Sequence, residues 1–264
     1  MKFFFQLFVI FSFILNLHIS GLWSEEISFD HDYRPMEHLF EVHVKDGKVN
    51  YSELKLSPES LDEIIRTLEA VTPKEYNVWS NTQKMAFWIN SYNIGAIKLI
   101  VDHYPIEKSF SIKALVFPVN SIQRIPNAWN KKILTLLNKK ISLNHIEHKV
   151  LRKEFQDPRI HFSIVCASIG CPVLRGEPYV YHHLDDQMDD QVRVFLADPS
   201  KYQGKKDQKK IGLSPILKWF KADFKEAGGV IAFIRSYLPD ENKDSMPDSV
   251  RIRWLKYDWS LNEY

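Results

Sequence analysis

The feature that most constrains this 264-residue chain is the stretch over residues 81–105, NTQKMAFWINSYNIGAIKLIVDHYP. Met85, Ala86, Phe87, Trp88, Ile89, Ala96, Ile97 and Ile100 leave few directions around a helix for water. A helix apolar on nearly every side must be enclosed by its own protein, so the rest of the chain has to wrap it. Asn90 and Asn93 lie within it, one turn apart on the same side. Buried amides are hydrogen-bonded, so this pair either braces neighbouring backbone or lines a cleft.

Short elements of both kinds surround that helix. Asp46-Gly47 between Val44 and Tyr51 marks a tight hairpin. Ser57-Pro58 opens a helix whose apolar face is Leu61, Ile64, Ile65 and Leu68. Residues 133–141, ILTLLNKKI, suggest two short strands around Asn138-Lys139, and Ser142 caps a helix reaching about Phe155. The run IHFSIVC over residues 160–166 is β-branched and aromatic enough to predict a buried strand. Further helices are expected from Leu184 to Leu196, after Ser214-Pro215, and from Val230 to Leu238 beyond Gly228-Gly229; the alternating residues 250–259 predict a final strand. The pattern is that of an α+β fold: a single domain over residues 22–264, its central helix packed on a mainly antiparallel sheet.

At the N-terminus, Lys2 precedes an apolar run over residues 3–19 broken only by Gln6, Ser12, Asn16 and His18. This is the pattern of a signal peptide over residues 1–21, so export is expected, to the periplasm or beyond. The run does not end in a small-x-small cleavage pattern, and an uncleaved membrane anchor is the alternative; a membrane is expected to matter only through this segment. The net charge of +2 and pI near 8.3 give no reason to expect nucleic acid, and five lysines over residues 201–210 read as a solvated loop. There is no glycine-rich phosphate loop and no GxSxG elbow, and the sequence calls for no cofactor.

The chemistry-bearing residues fall over residues 142–174. Leu143, Ile146, Val150 and Leu151 define the core stripe of the helix after Ser142, and Glu147 falls inside it. A carboxylate facing the interior is costly unless paired. The connection to the next element is short, so Arg159 or His161 is the expected partner: a structural salt bridge in the first case, a carboxylate orienting an imidazole in the second. The only two cysteines are Cys166 and Cys171. Cys171, immediately before Pro172, could cap a helical turn whose free N–H groups favour a thiolate. Cys166 alone reads as core, and an exported chain also permits a small-loop disulfide between the two. His145 points off the apolar stripe and is expected to be solvated. His145, His148, His161 and the cysteines are residues zinc prefers, but they lack paired zinc-site spacings.

These phrases together resemble a known family, the domain-of-unknown-function family 547, seen in exported bacterial proteins and at the C-terminal end of some plant proteins. The resemblance rests on residues 84–93 (KMAFWINSYN), 142–148 (SLNHIEH), 159–166 (RIHFSIVC), 170–174 (GCPVL) and 257–262 (YDWSLN), and covers most of the chain after Asp46. It implies a domain more than an activity. A helix followed later by a segment that starts at a histidine is similar in layout to papain-like and transglutaminase-like folds, where the nucleophilic cysteine begins the central helix. The central helix here holds no cysteine, so a nucleophile would have to come from Cys166 or Cys171.

The functional expectation is a cysteine-dependent hydrolase or acyl transferase acting on an amide or thioester of a small-molecule or peptide ligand. Cys171 or Cys166 would be the nucleophile, His161 the base and Glu147 its orienting group, with Asn90, Asn93 and His148 lining the substrate cleft. The alternatives are a non-catalytic binding or scaffold domain fixed by a buried polar network, and a zinc-binding protein.

Overall fold

A computed structural model describes residues 28–106, 115–204, 210–239 and 250–264; the N-terminal apolar run lies outside these residues. Helix α1 (Arg34–His43) leads through the β1 (Val44–Lys45) and β2 (Lys48–Val49) hairpin into α2 (Tyr51–Leu56), α3 (Glu59–Ala70) and α4 (Pro73–Asn77). The hairpin turns at Asp46-Gly47, where both residues have positive φ, as a two-residue turn of this kind requires.

The apolar stretch forms α5 (Asn81–His103), with every residue from Met85 to Ile97 buried. Its start is fixed by a reciprocal cap. Ser80 Oγ accepts from the Gln83 N–H, and Gln83 Oε1 accepts from the Ser80 N–H at 2.9 Å. Around it pack chiefly α2, α3 and the long helix that follows the β3 (Leu134–Leu136) and β4 (Lys139–Ile141) hairpin. That helix begins as α6 (Leu143–His145), with Ser142 Oγ accepting from the His145 N–H at 3.3 Å, and continues with wider π winding over Ile146–Phe155.

Residues 160–166 depart from the expected strand. Ile160–Ser163 form a helical turn, α7, and only the residues after it are extended. Asp157-Pro158 starts this turn: the Asp157 carboxylate accepts from the Arg159 N–H at 2.8 Å, and Ser163 Oγ donates back to the Arg159 carbonyl at 3.1 Å. The turn splits its apolar residues between two cores. Ile160 joins the main cluster around α5, whereas Phe162 joins a second cluster.

The second cluster is built from α8 (Leu184–Ala197), β5 (Tyr202–Gln203), β6 (Lys210–Leu213), α9 (Ile216–Trp219), α10 (Val230–Tyr237) and β7 (Arg251–Trp254). Strand β6 pairs antiparallel with β5 and parallel with β7, with Ile211 opposite Ile252. The expected final strand is therefore shorter than residues 250–259, and the chain beyond Trp254 leaves the sheet. The class is α+β, with its strands in three small sheets among predominant helices. Among the described residues, no helix is long and apolar enough to cross a membrane.

Candidate functional site

Beyond α7 the chain makes a tight loop, helped by Ala167 in the left-handed region (φ +58°), a conformation uncommon for a residue with a Cβ. The loop brings Cys166 and Cys171 together, and they are joined as a disulfide. The expected free thiolate is thus absent from this form of the protein, and no helix follows Cys171-Pro172 to provide the expected cap. Of the pairings open from sequence, the small-loop disulfide is the one formed.

The C-terminal segment holds this loop. Ile169 and Gly170 donate their N–H groups to Ser260 and Asp258 carbonyls at 2.8 and 2.7 Å. A Cβ at Gly170 would come within 2.7 Å of the Tyr257 ring, so only glycine allows this approach. From beneath, buried Lys201 donates to the Ile169 carbonyl at 2.5 Å. The outcome is a hydroxyl cluster on the sulfurs. Tyr257 Oη is 3.2 Å from Cys166 Sγ and 3.3 Å from Cys171 Sγ, and Ser168 Oγ is 3.1 Å from Cys166 Sγ. The Cys166 N–H donates to Cys171 Sγ at 3.0 Å.

Glu147 points inward, as its place in the apolar stripe requires, but neither expected partner meets it. Its carboxylate accepts a long hydrogen bond, 3.4 Å, from Tyr92 on α5. Loss of hydration pushes the Glu147 carboxyl up to about 7, against the opposing pull of Arg152. Arg159 turns away to Asp157, Asp185 and Asp189. His161 is instead oriented by Asp223: Nε2 lies 2.7 Å from Asp223 Oδ2. Arg152 grips the same carboxylate with two hydrogen bonds, of 2.5 and 2.9 Å, and donates to His148 Nδ1 at 2.6 Å. Despite its partial burial, Asp223 is held well below the usual carboxylate range by His161 and Arg152. Burial lowers the pKa of His161 more than Asp223 raises it.

Asn90 and Asn93 are braces. Asn90 donates to the Tyr179 carbonyl at 2.7 Å and accepts from the Tyr179 N–H at 2.9 Å. Asn93 clamps the end of α7 in the same way, donating to the Ser163 carbonyl at 3.0 Å and accepting from the Val165 N–H at 2.8 Å. Neither lines the cleft, so their expected substrate role gives way to backbone support. His145 is half-buried rather than solvated. Among the described residues, no group of three or more histidine, cysteine or acidic side chains could hold a metal ion.

Glu147, His148, His161 and both cysteines line one cavity of about 310 Å³. Its walls are largely aromatic: Trp129, Trp219, Phe220, Tyr257 and Trp259. Tyr257 and Trp259 stand with ring centroids 4.4 Å apart, and Trp219 stacks on Trp259 at 6.0 Å. Asp223 and these rings were not identified from sequence as site residues. Tyr257 and Trp259 belong to the motif at residues 257–262 that carries the family resemblance, whereas Asp223 sits in a 3-10 turn (Lys221–Phe224) without readable periodicity.

Residues 76–196 match the family model described as "Protein of unknown function, DUF547". Over these residues the chain carries a domain similar to this family. The matched part of the DUF547 domain includes α5, Glu147, His161 and both cysteines, while Asp223, Tyr257 and Trp259 come from the chain after it. No curated protein and no solved structure matches the chain.

Proposed function

We propose that this protein carries out thiol–disulfide exchange, with Cys166 and Cys171 as its reacting pair. The observation that carries the reading is the position of the disulfide: it lines an aromatic cavity and has hydrogen-bond donors set on its sulfurs. A disulfide that only stapled a loop would need neither.

The two sulfurs are not equivalent. Cys166 is partly buried, whereas Cys171 is only 5% exposed and has the Cys166 N–H and Tyr257 hydroxyl for donors. A substrate thiolate attacks Cys166 Sγ; the new S–S bond forms as the Cys166–Cys171 bond breaks, and its electron pair departs on Cys171 Sγ. Donors to that sulfur stabilise the leaving thiolate, which is the condition for fast exchange. Glu147, poised near neutrality, accepts the proton of the incoming thiol. A second substrate thiol then releases Cys166, leaving a substrate disulfide and the protein dithiol, which another disulfide of the compartment reoxidises. The signal-like N-terminal run supports export to a compartment where such disulfides persist.

The same geometry weighs against acyl transfer by a resting thiolate, because both sulfurs are spent in the bond and neither is within hydrogen-bonding reach of His161. A dithiol-driven insulin reduction assay tests the proposal. Turnover above the dithiol alone is expected from the oxidised protein, and its absence would leave the disulfide a structural staple.

A further inference from the structure

Among the described residues, Glu147 is the only acidic side chain that lines the cavity, and no lysine or arginine lines it. Glu147 Oε2 takes the long hydrogen bond from Tyr92, while Oε1 has no hydrogen-bond partner among these residues. The side chain keeps part of its surface, and Oε1 is not one of the sealed, unpartnered polar atoms of the molecule. The nearby bases are already committed. Arg152 is held by both oxygens of Asp223, and His148 accepts from Arg152 at Nδ1, so its ring is uncharged. Loss of hydration therefore outweighs the pull of Arg152 and lifts the Glu147 carboxyl toward neutrality. A carboxylate in this setting gains from a cation brought beside it, because pairing offsets the cost of its burial.

The walls decide the kind of cation. Trp129, Trp219, Tyr257 and Trp259 line the same cavity. The last three pack on one another, with ring centroids 4.9 Å (Trp219–Tyr257), 4.4 Å (Tyr257–Trp259) and 6.0 Å (Trp219–Trp259) apart. The faces of such rings attract organic cations, tryptophan most strongly. A hard metal ion is poorly matched, since it needs several oxygen ligands and one carboxylate among indoles supplies too few. An alkylammonium suits both features, offering a charge to the carboxylate and carbon to the rings. Trp219 is 50% exposed, so this wall reaches solvent and gives the ligand an entry.

We infer that the cavity binds a small organic ammonium ion, its charge facing Glu147 and its carbons against the Trp219–Trp259 wall, and that the thiol exchanged at Cys166 belongs to an aminothiol. The cation site rests on the cavity alone, whereas the thiol rests on the exchange reading. The ammonium keeps its proton and takes no part in the bond changes given above. It favours the ionised form of Glu147, the form that receives the thiol proton.

The first probes are choline and its uncharged carbon isostere, dimethylbutanol, each titrated into oxidised full-length protein by tryptophan fluorescence. Choline is expected to bind at least ~10-fold more tightly, with an affinity that rises with pH through about 7 as Glu147 ionises. Arg152, Asp223, Tyr92, Tyr257, His148 and His161 are the other charged or titratable groups around this carboxyl, so Glu147→Gln is the control. That variant should lose the rise and keep its affinity for the alcohol; if it does not fold, the choline–alcohol comparison and the pH series on the unaltered protein still decide. Equal affinity for the two probes, or choline binding independent of pH, overturns the cation site. Reduction of the oxidised protein by cysteamine and by mercaptoethanol, compared at equal thiolate concentration, tests the substrate. Cysteamine should react ~10-fold faster and be slowed by choline. Equal rates would sink the aminothiol and leave the cation site standing, whereas no exchange with either thiol would sink the proposed chemistry itself.

Discussion

Tyr257 Oη lies 3.2 Å from Cys166 Sγ and 3.3 Å from Cys171 Sγ, so one hydroxyl caps both ends of the disulfide. Burial pushes this phenol well above its ordinary pKa, which keeps it protonated and able to donate. A hydrogen bond to a charged sulfur is worth about 1.5–3 kcal/mol, so Tyr257→Phe should slow reduction of the oxidised protein by roughly 10-fold or more. Stopped-flow reduction by a dithiol checks this; an unchanged rate means the hydroxyl serves only packing.

Glu147 gives two linked expectations. Exchange should rise through an inflection near pH 7 as its carboxyl ionises, and Glu147→Gln should abolish that inflection. Stability moves the other way. The folded-state pKa lies above the unfolded value of 4.5, so between about pH 4.5 and 7 the native state binds more protons and stability falls as pH rises, by on the order of 3 kcal/mol at most. Glu147→Gln should flatten this decline in urea titrations, and an unaltered slope would show that Glu147 does not cause it.

Asp223 joins Arg152 and His161 across 71 and 62 residues of sequence. Removing one partner of a buried charge cluster costs about 3–5 kcal/mol, and with the Asp223 side chain 23% exposed a loss of about 2–3 kcal/mol is expected for Asp223→Asn. The sign with pH follows from its depressed pKa: the contribution is present above the ordinary carboxylate range and is lost as pH falls below it. Denaturant midpoints of the two proteins should converge toward acid. A constant difference from neutral pH to strongly acid solution would contradict this linkage.

Asn93 tests the distinction between bracing and catalysis. Asn93→Ala leaves a buried carbonyl at Ser163 and a buried N–H at Val165 unpaired, each costing about 1–3 kcal/mol. A stability loss of about 3 kcal/mol is expected, with ligand affinity of the remaining folded protein unchanged. Weakened binding without lost stability would return this amide to the cleft.

How far the sequence revealed the site follows from the same residues. Glu147 was readable because a 3.6-residue stripe fixes direction, and Ser142 and Asp46-Gly47 were readable because caps and turns are local. The turn at Ile160–Ser163 was not. Its β-branched and aromatic residues suit a strand, and Asp157-Pro158 reads both as the end of one helix and as the start of another. The partner of His161 was out of reach for a different reason. Local spacing favoured Glu147, whereas tertiary packing brought Asp223 from the second core, with nothing in its own segment to announce it.

The most direct measurement is mass-spectrometric trapping with single-cysteine variants. Cys171→Ala, first oxidised with a cysteine peptide disulfide, should accumulate a mixed disulfide on Cys166 rapidly, because the more exposed sulfur is retained and the resolving thiol is gone. Cys166→Ala should react far more slowly at Cys171. Equal rates for the two variants, or no adduct on Cys166, would contradict the assignment of this disulfide as the reacting centre.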